Sequence, residues 1–173
     1  MGGGIGYAVG SFPGGQQATN GFMFTAQSTG AVASLDAIVF SNNPGNMMFS
    51  LYTDNSGIVG SLLETITMDV PDTNSANVIL NASAIGSTIL TSGEQYWLVA
   101  TGDGTTNSYS WIFNTQGDTG PRVFGTTTLS YDTQLLGAFR ITTVPIPPAL
   151  YLFGSGLLGL IGISSRKKTA QQS

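Results

Sequence analysis

Few side chains in this chain could carry out acid–base chemistry, and the two glutamates are the first to consider. Glu64 and Glu94 are carboxylates of the kind that hydrolyse a glycosidic bond when they lie about 5–10 Å apart. Glu64 falls in a predicted strand and Glu94 in a predicted turn, and no sequence feature brings them together. A glycoside hydrolase that uses these two residues is therefore the weakest alternative, and we expect the protein not to be an enzyme.

Histidine and cysteine are both absent from the 173 residues of the chain. Histidine is the commonest general base, and cysteine supplies thiolate nucleophiles, zinc ligands and disulfides. Catalysis by a Ser-His-Asp or a Cys-His arrangement is therefore excluded. We expect no catalytic residue and no cofactor, with calcium as the one alternative.

That alternative depends on Asp54 and Asp103, which lie in the glycine-rich stretches DNSG and TGDGTTN. Calcium prefers carboxylate and carbonyl oxygens, so both residues are candidate ligands. The stretches lack the spacing of an EF-hand, and Asp or Asn close before Gly also forms ordinary turns by bonding its own backbone. Turn formation is the interpretation we favour.

The run SYSWIF places Tyr109, Trp111 and Phe113 on one face of a predicted strand. Exposed aromatic rings on a β-sheet can stack on sugars, whereas large aromatic side chains more often fill the core between sheets. The small polar residues Ser108 and Ser110 on the opposite face favour the core. The alternative is a carbohydrate-binding module in which Tyr109 or Trp111 contacts the glycan.

Charge is divided unevenly along the chain. Residues 1–148 hold all nine acidic residues and only two basic ones, Arg122 and Arg140, which gives a formal charge of −7. The remaining residues hold three cations, at 166–168, and no acidic residue. Because phosphate contacts need clustered cations, the acidic body is not expected to bind nucleic acid.

Short runs of β-branched and aromatic residues recur between Gly, Asn, Asp and Ser clusters, a spacing typical of all-β domains. The nine predicted strands are 21–26, 32–40, 48–53, 62–68, 76–80, 95–101, 108–114, 122–125 and 136–142. Alternation in 32–40 places Val32 and Leu35 on opposite faces, and the apolar run 95–101 indicates a central strand covered on both faces. Residues 1–143 are therefore predicted to form an antiparallel, jelly-roll-like β-sandwich.

The C-terminal segment has the composition of a membrane-spanning helix. Residues 149–165 contain no charge, and most of them are Leu, Ile or Gly. A helix of this length measures roughly 26 Å at about 1.5 Å per residue, close to the ~30 Å hydrocarbon core of a bilayer. Arg166, Lys167 and Lys168 follow, and cations at a membrane edge mark the cytoplasmic side. We predict a single transmembrane helix at 149–165, a cytoplasmic tail at 166–173, and the body outside.

The segment VPIPPALYLFGSGLLGLIGISSRKK resembles a PEP-CTERM sorting signal, which joins a proline motif, a membrane-spanning stretch and a basic end. The resemblance makes Val144, Pro145, Ile146 and Pro147 the sorting motif, within a proline-rich linker at 144–148. Ile146 stands where the family motif has Glu, so the segment is similar to the Val-Pro-x-Pro variant of these signals.

This resemblance implies processing near Pro147 by an exosortase, a membrane protease-transpeptidase of Gram-negative bacteria. The precursor would be held in the inner membrane, and the mature body would pass to the cell surface or to the extracellular exopolysaccharide of a biofilm. The first residues, MGGGIGYAVGSF, have neither a basic n-region nor a long apolar h-region. We therefore expect export to depend on a signal that this N-terminus does not supply.

The body is similar to the choice-of-anchor R type of β domain. The resemblance is carried by FSLYTDNSGIVGSLLET (49–65), LTSGEQYWLVATGDG (90–104) and SYSWIF (108–113). Such domains occur with interchangeable C-terminal anchors, PEP-CTERM signals among them. The resemblance implies a secreted surface domain without a defined activity, so it adds no site residue.

Overall fold

The computed structural model describes residues 6–12, 16–41, 43–72, 76–83, 86, 88–104 and 107–145. These residues form an all-β, antiparallel structure without a helix. None of them therefore belongs to a helix long and apolar enough to cross a bilayer. The strands are β1 (Gly6–Phe12), β2 (Gln16–Thr25), β3 (Gly30–Phe40), β4 (Gly45–Asn55), β5 (Ile58–Val70), β6 (Val78–Ser83), β7 (Ile89–Leu90), β8 (Gln95–Gly102), β9 (Ser108–Ile112), β10 (Thr119–Gly125), β11 (Leu129–Leu135) and β12 (Phe139–Val144).

The strands pair in two groups. In the first group β3 is central, with β6 and β7 on one edge and β12 and β9 on the other. The second group has the order β11-β10-β2-β8-β4-β5. β1 joins the groups, because it pairs with β9 through Gly6–Gly10 and with β2 through Gly10–Phe12. This arrangement is consistent with the predicted β-sandwich.

The main hydrophobic core draws on both groups of strands. Trp111 of β9 is fully buried and contacts Phe22 of β2 and Phe49 of β4, with ring centroids 4.9 and 5.3 Å apart. Leu35 and Val39 of β3 join the same core with no exposed surface. Because these side chains come from both sheets, burial of apolar surface holds the sheets face to face.

β8 is covered on both faces. Its even-numbered side chains face the main core, while Trp97 and Val99 form a second cluster with Val123 of β10. A Cβ on Gly21 of β2 would lie 2.7 Å from Val99 and 2.9 Å from Val123. Since Gly21 has no Cβ, the β10–β11 hairpin folds over this outer face, where Tyr131 packs on Trp97 with ring centroids 5.7 Å apart.

The sequence predicts the fold class and most of the strands. Each of the nine predicted strands overlaps an observed strand, and 95–101 corresponds to the doubly covered β8. The prediction that Val32 and Leu35 lie on opposite faces is wrong, because both are buried in the core. β12 pairs with the residues on either side of Ala33 but not with Ala33 itself, and this bulge resets the alternation.

Two predicted elements cannot be compared with the structure. The transmembrane helix at 149–165 and the basic tail at 166–173 lie outside the described residues, and both stay predictions.

Candidate functional site

An open groove of about 680 Å³ lies on the outer face of the first sheet. Its residues come from the far half of β3, from β6, from the segment after β9 and from the start of β12. β12 runs from the groove at Phe139 to Val144, a span of roughly 17 Å at about 3.3 Å per residue. The groove and the C-terminal exit of the body therefore lie at opposite ends of β12.

A row of polar side chains crosses the sheet on one side of the groove. Arg140, Asp36 and Asn81 occupy directly paired positions on β12, β3 and β6, so their side chains share one face. Arg140 donates from Nε and Nη2 to Asp36 Oδ2 at 2.8 and 2.6 Å, and Asn81 Nδ2 donates to Asp36 Oδ1. The hydrogen bonds from Asn81 and from Arg140 hold the pKa of Asp36 below its usual range.

Apolar side chains form the floor of the groove. Ile38 of β3 and Ile79 of β6 are paired neighbours, and Ile79 is 66% exposed. Ile112 of β9 and Phe113 beside it continue the apolar lining. Ala138 bridges the two strands on this edge of β3, because its N–H donates to Ile112 O (2.7 Å) and its carbonyl accepts from Ile38 N (3.1 Å).

Asn114 builds the opposite wall by holding a turn. Its Nδ2 donates to the carbonyls of Asp118 and Leu136 at 2.8 and 3.0 Å, and its Oδ1 accepts from the main-chain N–H groups of Gln116 and Asp118. The main chain of Asp118 is thus committed to the turn, and Asp118 and Gln116 both belong to the lining of the groove. The wall offers one acceptor-only group and one amide that both donates and accepts.

The two aromatic residues proposed as glycan contacts are buried. Tyr109 is 2% exposed and Trp111 is 0% exposed, and both belong to the main core. The glycan-contact alternative for these two rings is therefore corrected in favour of the core interpretation. The reason is that Tyr109 and Trp111 lie on the face of β9 that is turned to the second sheet, where Trp111 contacts Phe22 and Phe49.

The two candidate calcium ligands are far apart. Asp103 follows Gly102, which pairs with the start of β4 at Met47, whereas Asp54 lies at the other end of β4. At about 3.3 Å per residue these positions are separated by roughly 23 Å, so Asp54 and Asp103 do not share a site. In the described part of the chain, no cluster of three or more acidic side chains is arranged to hold a metal ion.

Asp54 instead organises the β4–β5 turn and a buried indole. It accepts from Gly57 N at 3.1 Å and from Trp97 Nε1 at 2.9 Å. Ser56 and Gly57 both have positive φ, of 56° and 86°, as a two-residue type I′ hairpin requires. This is the turn chemistry that the sequence favours for Asp54.

The structure does not bring the two glutamates together. Glu64 of β5 pairs with Leu51 of β4, which pairs with Leu98 of β8, and Glu94 precedes β8. With strands about 4.8 Å apart and about 3.3 Å per residue, their Cα atoms are roughly 16 Å apart. Glycosidases place their two carboxylates about 5–10 Å apart, so this pair lacks the geometry.

The predicted sorting motif begins inside a strand. Val144 is the last residue of β12 and is 56% exposed, and Pro145 follows it as the last described residue. The other motif residues, Ile146 and Pro147, and the basic residues Arg166, Lys167 and Lys168 lie outside the described residues.

Sequence reasoning does not find the groove. Its polar row joins strands that are distant in sequence, and none of these side chains belongs to a recognisable motif. Asn114 carries the only local signal, because an Asn two residues before Gln and three before Gly predicts an Asx-type turn.

No family model matches the chain, and no curated protein sequence matches it. Among solved structures the chain is similar to CsCBM6-3 from Clostridium stercorarium, whose structure is in complex with cellobiose. The identity is 20%, the match covers 58% of this chain and 73% of that chain, and the TM-score is 0.33. At this level of similarity, the ligand chemistry of the groove has to be argued from the groove's own residues.

Proposed function

We propose that this chain is an exported bacterial surface protein, sorted through its C-terminal segment by an exosortase and carrying a non-enzymatic β body. One observation supports the proposal most directly. β12 ends at Val144, Pro145 follows, and every described strand precedes this point. Cleavage near Pro147 would therefore release a body that keeps all of these strands.

The position of the prolines also suits a processing site. Proline lacks a backbone N–H and disfavours helical geometry in the residue before it, and Pro145 directly follows the extended residue Val144 of β12. Proteases bind extended chain, and the predicted membrane helix would hold the motif beside a membrane enzyme. The basic residues after that helix would fix the body on the outside.

The strand order supports a jelly-roll-like body. β1, β3, β6 and β9 lie in one sheet, and β2, β4, β5 and β8 lie in the other. The chain thus crosses repeatedly between two sheets, as in double-sheet jelly rolls. In our proposal this body reaches the cell surface or the exopolysaccharide matrix after processing.

The proposal is tested by expressing the full chain, behind an export signal, in a Gram-negative host that has an exosortase. The variant Pro145→Ala/Pro147→Ala is compared with the native chain by intact mass and by fractionation. We expect the native chain to lose its tail and leave the inner membrane, while the variant stays at full length in the membrane.

A matched control carries two alanines at body prolines, Pro44→Ala/Pro71→Ala, and is expected to mature like the native chain. If native and motif-variant chains reach the same mass and the same fraction, the motif is idle and the proposal is wrong.

A further inference from the structure

We propose that the groove on the outer face of the first sheet binds an uncharged glycan. This inference goes beyond sorting and does not depend on it, because it is drawn from the groove residues alone. It assigns a binding role to Ile79, Asp118, Gln116 and Arg140.

The floor of the groove suits the apolar face of a sugar ring. Ile79 is 66% exposed and lies next to Ile38, so an aliphatic surface in the lining of the groove faces solvent. Ligand sites combine such an apolar surface with a few convergent polar groups, and their volumes of about 300–1,000 Å³ include the volume of this groove. A pyranose ring presents C–H groups on one face and hydroxyl groups around its rim.

The polar groups at the edges suit those hydroxyls. A hydroxyl both donates and accepts, and the groove offers partners of each kind. Arg140 uses Nε and Nη2 on Asp36, which leaves further guanidinium donors, and its side chain is 77% exposed. The carboxylate of Asp118 accepts, and the amide of Gln116 does both. Arg140 reaches the groove from β12, whereas Gln116 and Asp118 belong to the turn that Asn114 holds.

Charge decides against an anionic ligand. The groove contains two carboxylates, Asp36 and Asp118, and one guanidinium, and the body as a whole carries a formal charge of −7. Uronate-rich polysaccharides and phosphate groups would be repelled by this field.

Strand pairing leaves no free edge on β3 for an extended peptide. Peptides that bind to sheets usually add a strand at a free edge. β3, which runs through the groove, is paired with β6 on one edge and with β12 on the other. Its main-chain groups are therefore already used, so recognition over β3 has to come from side chains. Among the described strands β6 pairs only with β3, and a peptide that adds to its outer edge is the outcome that the peptide array tests.

The test uses the purified full-length chain in a polyoxyethylene detergent, which contains no sugar. Binding is measured on arrays of neutral oligosaccharides, uronate oligosaccharides and peptides, and the best binder is titrated by calorimetry. The Ile79→Ser variant is compared with Ile89→Ser, which changes an isoleucine on β7 of the same sheet outside the groove. The Asp118→Ala variant is compared with Asp69→Ala on β5.

We expect a neutral glycan to bind, with the dissociation constant raised at least about tenfold by each groove variant and less than about twofold by each control. Circular dichroism of every variant confirms that the fold is kept. The proposal is overturned if no neutral glycan binds at millimolar concentration, if uronates or peptides bind in preference, or if the groove variants bind like the native chain.

Discussion

At the scale of single residues, Asp54 connects a turn to a buried ring. Its Oδ1 accepts from both Gly57 N and Trp97 Nε1, and Trp97 has no exposed surface. A buried N–H without an acceptor costs about 1–3 kcal/mol, because its hydrogen bond to water is lost on folding. The carboxylate of Asp54 thus supplies the acceptor that the buried N–H of the Trp97 indole needs.

The substitution Asp54→Ala is therefore expected to lower the free energy of unfolding by about 1–3 kcal/mol. Asp54→Asn keeps an Oδ1 acceptor for both donors and is expected to restore most of the loss. Urea unfolding followed by tryptophan fluorescence measures both variants, with Asp69→Ala at an exposed position of β5 as the control. An Asp54→Ala protein as stable as the control would show that the indole finds another partner.

Asp54 also shows which contacts can be predicted from the sequence and which cannot. The turn role of Asp54 is local, since Asn55, Ser56 and Gly57 follow it directly, and it can be predicted. Its bond to Trp97 is not predictable, because strand pairing alone brings the two together. The groove is hidden for the same reason, since Arg140, Asp36 and Asn81 meet only when three strands are in register.

At the scale of elements, Gly21 lets side chains of two neighbouring strands meet across β2. It pairs with Val123 on one side and with Val99 on the other, and these two valines meet across it. A Cβ at this position would lie within 3.0 Å of both valine side chains and of the Leu98 carbonyl. The absent side chain thus allows the β10–β11 hairpin to close over Trp97.

The substitution Gly21→Ala is expected to destabilise the fold by about 1–3 kcal/mol, because overpacking forces the neighbours to shift. Val123→Ala makes room on one side, so the double variant should lose less than the sum of the two single losses. A thermodynamic cycle from urea unfolding measures this coupling. Strict additivity would mean that the main chain near Leu98, and not Val123, takes the strain.

At this scale, the strands that can be predicted are those whose apolar side chains form a clear pattern in the sequence. Apolar strands such as β8 can be read from the sequence, because both faces are buried. The sequence does not predict β11, since most of its side chains are exposed and its place depends on pairing with β10. It does not predict β1, because glycines weaken the strand pattern there, or β7, because that strand has only two residues.

At the scale of the whole molecule, β12 is the boundary between the body and the C-terminal segment. It pairs with β3 from Phe139 to Val144, and Phe139 and Ile141 pack against the main core. Arg140 on the same strand pairs with Asp36 across the sheet. The strand that leads to the sorting motif is therefore a structural part of the sandwich.

Two truncations test this boundary. A chain that stops after Pro145 keeps β12, so we expect a cooperative thermal transition by circular dichroism within a few degrees of the full chain. A chain that stops after Ala138 exposes the edge of β3 and removes the partly buried Phe139 and Ile141 that pack against the core, so it loses both strand pairing and apolar burial. It is expected to aggregate or to melt without cooperativity. If the chain that ends at Pro145 also aggregates or melts without cooperativity, the residues after it belong to the fold, and sorting by removal of the tail would be incompatible with a stable mature body. If the chain that ends at Ala138 melts as cooperatively as the longer one, β12 is not a structural part of the sandwich.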